Sequence, residues 1–212
     1  MNRKEMERNT RQQFVLDAAR RVMTRKGIED TTMEDIASEV EYTRRTLYAY
    51  FSSRDEIYLM VLVEDLKARW AEQQKAIATA ITGLDKILAW GDSFYAFARE
   101  HTHAMRLAIY WDYRGIDKAK ISDAVFASFE EINNELAEGL RAIFRLGVSD
   151  ATLRPDLNQD MCISQFLYSL RSVVSRALMR AYSFAQFEPD DYVAHFLELF
   201  TRSIAHDGGK AK

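Results

Sequence analysis

Apolar residues recur every three or four positions through most of this chain and almost nowhere alternate, which predicts helices throughout. The first stretch runs from Thr10 to Lys26. Phe14, Ala18 and Val22 form one stripe, and Val15, Ala19 and Met23 widen it. Thr10 with Gln13 reads as a capping box, and Lys26-Gly27 as a basic C-terminus followed by a glycine. Residues 1–9, MNRKEMERN, are charged and predict a mobile tail.

Two short helices follow. Thr32 is an N-cap with Asp35 three residues on, and Met33, Ile36, Ala37 and Val40 give one apolar face. After Glu41 and Tyr42, Thr43 is a second N-cap. The helix it opens presents Arg44, Arg45, Thr46, Tyr48 and Tyr50, while Leu47 and Phe51 face inward. Two Arg, a Thr and two Tyr on one short helix suit DNA. Arg reads guanine edges bidentately, Thr contacts a base edge or thymine methyl, and Tyr hydroxyls bond phosphates. The order is that of a helix-turn-helix, whose second helix enters the major groove. An ordinary helical hairpin with an exposed basic face would show the same periodicity.

Five further helices are expected downstream of a long one that Ser53 and Glu56 cap and that ends near Thr79. Ile57, Met60, Val61, Leu59, Leu62, Leu66 and Trp70 form its apolar surface. Thr82-Gly83 breaks the pattern. Helices then run from about 84 to 100, 102 to 113, 118 to 146, 158 to 182 and 189 to 204, with Gly147 as the expected end of the third of these and Pro189 in the first turn of the last.

At 212 residues, with 48% hydrophobic residues, eight Gly and two Pro, the chain can bury a core and reads as all-α. Net charge is −3. Residues 1–54 carry eleven Lys+Arg against nine Asp+Glu, so the deficit of positive charge lies in the remainder. That is the asymmetry expected of a DNA-reading end on an acidic body. A single cysteine, Cys162, forms no internal disulfide and points to a reducing cytoplasm. Neither a signal peptide nor an apolar run long enough for a membrane span is present in the sequence.

No phosphate-binding glycine loop, nucleophile elbow or C-x-x-C occurs. His101 and His103 are two apart and point to different helical faces, and nothing gives them, His195, Cys162 or Asp112 a metal-ligand spacing. The expectation is a protein that is not an enzyme and holds no cofactor or metal.

The run I-A-S-E-V-E-Y-T-R-R-T-L-Y-A-Y-F-S-S-R-D-E-I, Ile36 to Ile57, resembles the signature of the tetracycline-repressor (TetR) family. That signature has Gly, Val, Ser and Gly where this chain has Glu41, Tyr42, Thr43 and Arg45. A Glu in the turn implies a left-handed backbone that Gly adopts at lower cost, and Arg45 adds a base contact. The motif covers about a tenth of the chain, and the N-terminal domain that holds it about a quarter. The resemblance implies about nine helices, with a three-helix DNA-binding domain over residues 1–54 (motif about 32–51) and a ligand-binding and dimerisation domain over 55–212. It implies a homodimeric transcriptional regulator, in most cases a repressor, released from double-stranded operator DNA by a small-molecule inducer.

On that reading Thr43, Arg44, Arg45 and Thr46 read or frame the bases. Thr32, Tyr48, Tyr50 and Arg54 hold phosphates, and Arg3, Lys4 and Arg8 form an arm on the backbone. The aromatic stretch supplies an apolar ligand cavity drawn from Trp90, Phe94, His101, Met105, Tyr110, Trp111, Phe126 and Phe129, with ordinary core packing as the plainer reading. Phe166, Leu170, Val174, Phe196 and Phe200 are expected in or beside a four-helix dimer interface. The competing function is a helical ligand-binding or interaction protein that has lost DNA binding, for which Glu41 and Arg45 are the support.

Overall fold

The helix that was expected to start at Thr10 starts seven residues earlier. In the computed structural model, which describes residues 3–115, 117–179 and 187–206, α1 spans Arg3–Lys26. Thr10 is inside it, its hydroxyl donating to the Met6 carbonyl at 3.0 Å rather than capping. Phe14 is 62% exposed, and the buried stripe is Val15, Leu16, Ala18, Ala19, Val22 and Met23.

Eight more α-helices follow among the described residues: α2 (Met33–Glu39), α3 (Arg44–Tyr48), α4 (Arg54–Thr79), α5 (Gly83–Glu100), α6 (Thr102–Arg114), α7 (Asp123–Ser149), α8 (Gln159–Met179) and α9 (Pro189–Ile204). The stretch expected to begin α7 at Lys118 is instead a single 3-10 turn, Lys118–Lys120, capped by Asp117. Gly147 does not end α7. The helix runs two residues beyond it, and the left-handed residue that follows is Ala151, at φ 60°. The last residues expected in α8, up to Tyr182, and the tail from 207 lie outside the described residues.

The chain forms two compact units. One comprises residues up to Lys67 together with His103–Ile132, and the other Ala68–Thr102 together with the chain from Asn133 onward. In the first, α1 packs with α2, and the core holds Ile36 and Ala37 of α2, Leu47 of α3, and Phe51, Ile57, Leu59 and Val61, all within 3% of full burial. A polar clamp fixes α1 to α4. Arg20 donates to Asp17 at 3.0 Å, to Glu64 at 2.7 Å and to Asp65 at 3.2 Å. Near the start of α4, Glu56 gathers the backbone N–H and hydroxyl of Ser52 and the N–H of Ser122. Burial pushes its carboxyl up, but these hydrogen bonds outweigh it and leave the group below its ordinary value.

The second unit encloses Ile87, Trp90, Leu140, Phe144, Phe166, Leu170, Val174, Val193 and Leu197. Gly83, at the start of α5, touches α7 backbone to backbone. A Cβ there would lie 2.2 Å from the Gly147 Cα, so α5 tolerates no side chain at the contact. Thr82 caps α5, accepting from the Asp85 N–H, and Asp150 accepts from the Gly83 N–H at 2.8 Å. Leu153 and Ala205 form an isolated antiparallel bridge.

Candidate nucleic-acid interface

The helix-turn-helix is built from local hydrogen bonds that the residue types dictate. Thr32 and Asp35 satisfy each other's backbone: the Asp35 N–H donates to Thr32 Oγ1 at 3.2 Å and the Thr32 N–H donates to Asp35 Oδ2 at 2.9 Å. Asp35 also takes the Lys26 ammonium at 2.8 Å. The Lys26 bond, then those from Thr32, hold the Asp35 carboxyl down at about 2. At the other end of α2, the Tyr42 N–H donates to the Ala37 carbonyl at 2.8 Å and the Glu41 N–H to the Ser38 carbonyl at 3.2 Å. This pair is a Schellman closure, and it places Glu41 at φ 56°. The left-handed turn expected of a Glu in a glycine position is present. Thr43 then caps α3, accepting from the Thr46 N–H at 3.1 Å, with the two hydroxyls 2.8 Å apart.

Leu47 is fully buried and anchors α3 from behind, so Arg44, Arg45 and Tyr48 face outward. Arg44 is paired with Glu34 of α2, and its guanidinium lies 5.5 Å from the centre of the Tyr48 ring. Arg45 is exposed, with no hydrogen bond or ion pair among the described residues. Tyr50 is half-buried. Its hydroxyl accepts from Arg11 at 3.1 Å, and its ring stacks on Tyr42 at 6.4 Å. Other cations nearby are spoken for: Arg21 and Arg25 both bind Glu39, whose carboxyl lies below its ordinary value through those two bonds. Arg3, Lys4 and Arg8 stand on the exposed first turns of α1 rather than on a loose tail.

Arg54 is placed differently from the phosphate contact expected of it. Its guanidinium turns inward, donating to the carbonyls of Glu29 at 3.2 Å and Thr31 at 2.9 Å and to the Tyr110 hydroxyl at 3.4 Å. Tyr58 adds a bond to the Ile28 carbonyl at 2.8 Å. Together they hold the loop between α1 and α2, so Arg54 supports the motif from inside.

The residues expected around a ligand divide between the two units. Met105, Tyr110, Trp111, Phe126 and Phe129 are in the first, where Tyr110 packs edge-on against Trp111 at 5.5 Å and Phe126 against Phe129 at 6.3 Å. Trp90, Phe94 and His101 are in the second, with Trp90 fully buried against Trp70 at 5.2 Å and His101 against Phe97 at 4.3 Å. Of the dimer candidates, Phe166, Leu170 and Val174 are enclosed by their own chain, at 1% exposure or less, and cannot meet a second copy without opening the unit. Phe196 and Phe200 are half-buried. The apolar side chains left outside on these helices are Met161, Tyr168 and Leu199, at 57%, 65% and 53% exposure. The spacing of an apolar stripe cannot separate these two sets. Arg69 also went unremarked in the sequence. It lies three residues beyond Leu66 on the apolar side of α4, and that position was the signal available.

Residues 15–61 match the family described as bacterial regulatory proteins, tetR family. Over 154 residues the chain is 29% identical to the HTH-type transcriptional repressor KstR2 of Mycolicibacterium smegmatis, covering 72% of each. It is 27% identical over 106 residues to the HTH-type transcriptional activator FasR of the same organism, covering 50% of this chain and 48% of FasR. Among solved structures, KstR2 of Mycobacterium tuberculosis superposes with a TM-score of 0.68 at 17% identity, over 93% of this chain and 96% of that one. FadR from Bacillus subtilis, in complex with stearoyl-CoA, gives 0.71 at 16% identity over 91% and 98%. With a doubly capped helix-turn-helix inside the matched residues and the fold of KstR2 and FadR around it, residues 15–61 are a DNA-binding domain of the tetR family of bacterial regulatory proteins.

Proposed function

We propose that this transcriptional regulator works as a homodimer in the cytoplasm, setting two copies of α3 into successive major grooves of one operator and releasing it when a lipid-like ligand binds. DNA binding is assigned to residues 1–54, and ligand binding and pairing to 55–212. The observation that carries the reading is α3 itself. It is held by Thr43 at one end and Leu47 behind, and it presents an uncommitted Arg45 beside an Arg44 held by a surface pair with Glu34 and by exposed Tyr48. Such pairs contribute about 0–1 kcal/mol, so Arg44 can exchange Glu34 for DNA at low cost. Arg45 and Arg44 read base edges, Thr46 frames them, and Tyr48 and Tyr50 with the Thr32 and Thr43 ends of the two helices contact the backbone. Arg54 steadies this surface without touching DNA.

Pairing follows from the groove spacing: two recognition helices must sit about 34–36 Å apart, which one chain with one helix-turn-helix cannot arrange. The outward residues of α8 and α9, Met161, Tyr168 and Leu199 with half-buried Phe196 and Phe200, are the surface for it. The ligand is lipid-like, for two reasons. The second unit has an aromatic interior around Trp90 and Phe94. Similar proteins are named for ketosteroid regulation, and one was solved with stearoyl-CoA.

The test uses a duplex from the DNA flanking the protein's own gene. Nanomolar binding of that duplex over a scrambled one, a dimer in sedimentation, and release by a steroid or acyl compound are the expected results. Equal affinity for both duplexes would overturn the reading.

A further inference from the structure

Three side chains in the second unit end on sealed polar atoms without partners. Arg69 of α4 lays its guanidinium over the Phe94 ring of α5, 4.9 Å from its centre. Arg69 as a whole is half-buried, but its Nε is closed to solvent and meets no acceptor, and no ion pair to a carboxylate is present at Arg69 among the described residues. Burial, and then the like charge of Arg171 on α8, pull this guanidinium down from 12.5 to about 10. One turn further along α4, Gln73 is fully buried. Its Nε2 donates to the Trp90 carbonyl at 3.4 Å, and its Oε1 is left over. Trp90 is fully buried too, and its indole N–H has no acceptor. Arg69 and Gln73 are four apart on α4, and Trp90 and Phe94 four apart on α5, so each pair shares a helical face. The two faces meet at the Arg69–Phe94 and Gln73–Trp90 contacts.

An arrangement like this is costly when left alone. A buried N–H without an acceptor loses its hydration and gains nothing, and a partly desolvated cation beside another cation adds to the cost. What would relieve both is an anion with acceptor oxygens, because a guanidinium and an indole N–H can only donate. The walls beside it are the Phe94 and Trp90 rings, which suit an apolar body next to the acid group. Gln73 Oε1 repels a carboxylate and favours a ligand hydroxyl, so it marks the side away from the acid.

We infer that the effector of this protein is a carboxylic acid with an apolar body, its carboxylate taken by Arg69 with the Trp90 indole as second donor. The inference rests on the reading that the second unit binds a lipid-like effector, and it narrows that class to free acids. Neutral esters, and thioesters in which the same carboxyl is masked, lack the carboxylate at the end of the apolar body that Arg69 takes, the phosphates of a coenzyme A thioester lying far along the pantetheine arm.

The experiment measures binding by full-length protein of saturated acids from octanoate to octadecanoate, their methyl esters and their coenzyme A thioesters, with operator release read on the same samples. It compares wild type with Arg69→Met and Trp90→Phe. The acids are expected to bind at least about tenfold more tightly than their esters. Arg69→Met should erase that preference, and Trp90→Phe should reduce it severalfold. Unliganded Arg69→Met should melt at a higher temperature than wild type, because it removes a half-buried charge whose Nε has no acceptor. A merely structural Arg69 would give the opposite shift. Equal binding of acid and ester, or an undiminished preference in Arg69→Met, overturns the inference. If thioesters or esters bind and release operator while acids do not, the carboxylate claim falls and the lipid-effector reading stands. If nothing in the panel binds, both fall.

Discussion

Glu41 holds a left-handed backbone, at φ 56°, in the turn that sets α3 against α2. For a residue with a Cβ that conformation costs about 1–2 kcal/mol, and glycine escapes the cost. Glycine also gains freedom in the unfolded chain, which takes back about 0.4–1 kcal/mol. Glu41 is exposed and its backbone bonds persist in any residue, so nothing else changes on replacement. Glu41→Gly should therefore stabilise the protein by about 0.5–1 kcal/mol, a rise of about 1–4 °C in melting temperature for a chain of this size. The assay is thermal unfolding followed by helical circular dichroism. Glu41→Gln is the control, since it removes the charge and keeps the strain, and it should melt within about a degree of wild type. If Glu41→Gly melts no higher than Glu41→Gln, the turn is not strained, and the Glu at the glycine position of the signature has no energetic consequence.

Other consequences follow from particular contacts. Gly83→Ala puts a Cβ 2.2 Å from the Gly147 Cα and should cost about 3 kcal/mol by overpacking, read as a lowered urea midpoint with an unchanged slope. Arg54→Met removes charged hydrogen bonds to the Glu29 and Thr31 carbonyls. It should destabilise by about 2 kcal/mol while leaving the salt dependence of DNA binding unchanged, which a phosphate contact would not. The Asp35 carboxyl sits at about 2 against an ordinary 3.8. Its contribution is thus complete above about pH 4 and is lost as pH falls towards 2. In melting curves from pH 5 to pH 2.5, Lys26→Met should flatten that acid limb, and an unaltered limb would contradict the assignment.

The motif at the heart of the fold was legible because its determinants are local. Thr32 with Asp35, and Thr43 with Thr46, lie three residues apart, and each pair satisfies the helix end it was expected to satisfy. Thr10 shows the limit of the same reasoning. A threonine followed by Gln at the third position looks identical whether it caps a helix or sits inside one, and the continuation of α1 back to Arg3 rests on residues of no distinctive pattern. Helix faces were legible and their destinations were not. The stripe of α8 told that Phe166, Leu170 and Val174 share one apolar face, which was expected at a dimer interface, but that their own chain covers them is a tertiary fact. Arg54 occupies a signature position that resemblance assigns to phosphate. Its inward turn depends on carbonyls in the loop after α1 that no spacing reveals. Arg69 was hidden for the same reason, being one charge among Glu64, Asp65, Lys67 and Glu72 on α4, and its packing on Phe94 depends on α5.

The central claim is that α3 reads DNA through Arg45. The direct measurement is the affinity of wild type and Arg45→Ala for the operator and for a scrambled duplex, at two salt concentrations. The account predicts that Arg45→Ala loses roughly 1–3 kcal/mol on the operator, about 5- to 160-fold, with a far smaller change on the scrambled duplex. Operator affinity that stays the same in Arg45→Ala, or falls equally on both duplexes, would contradict it.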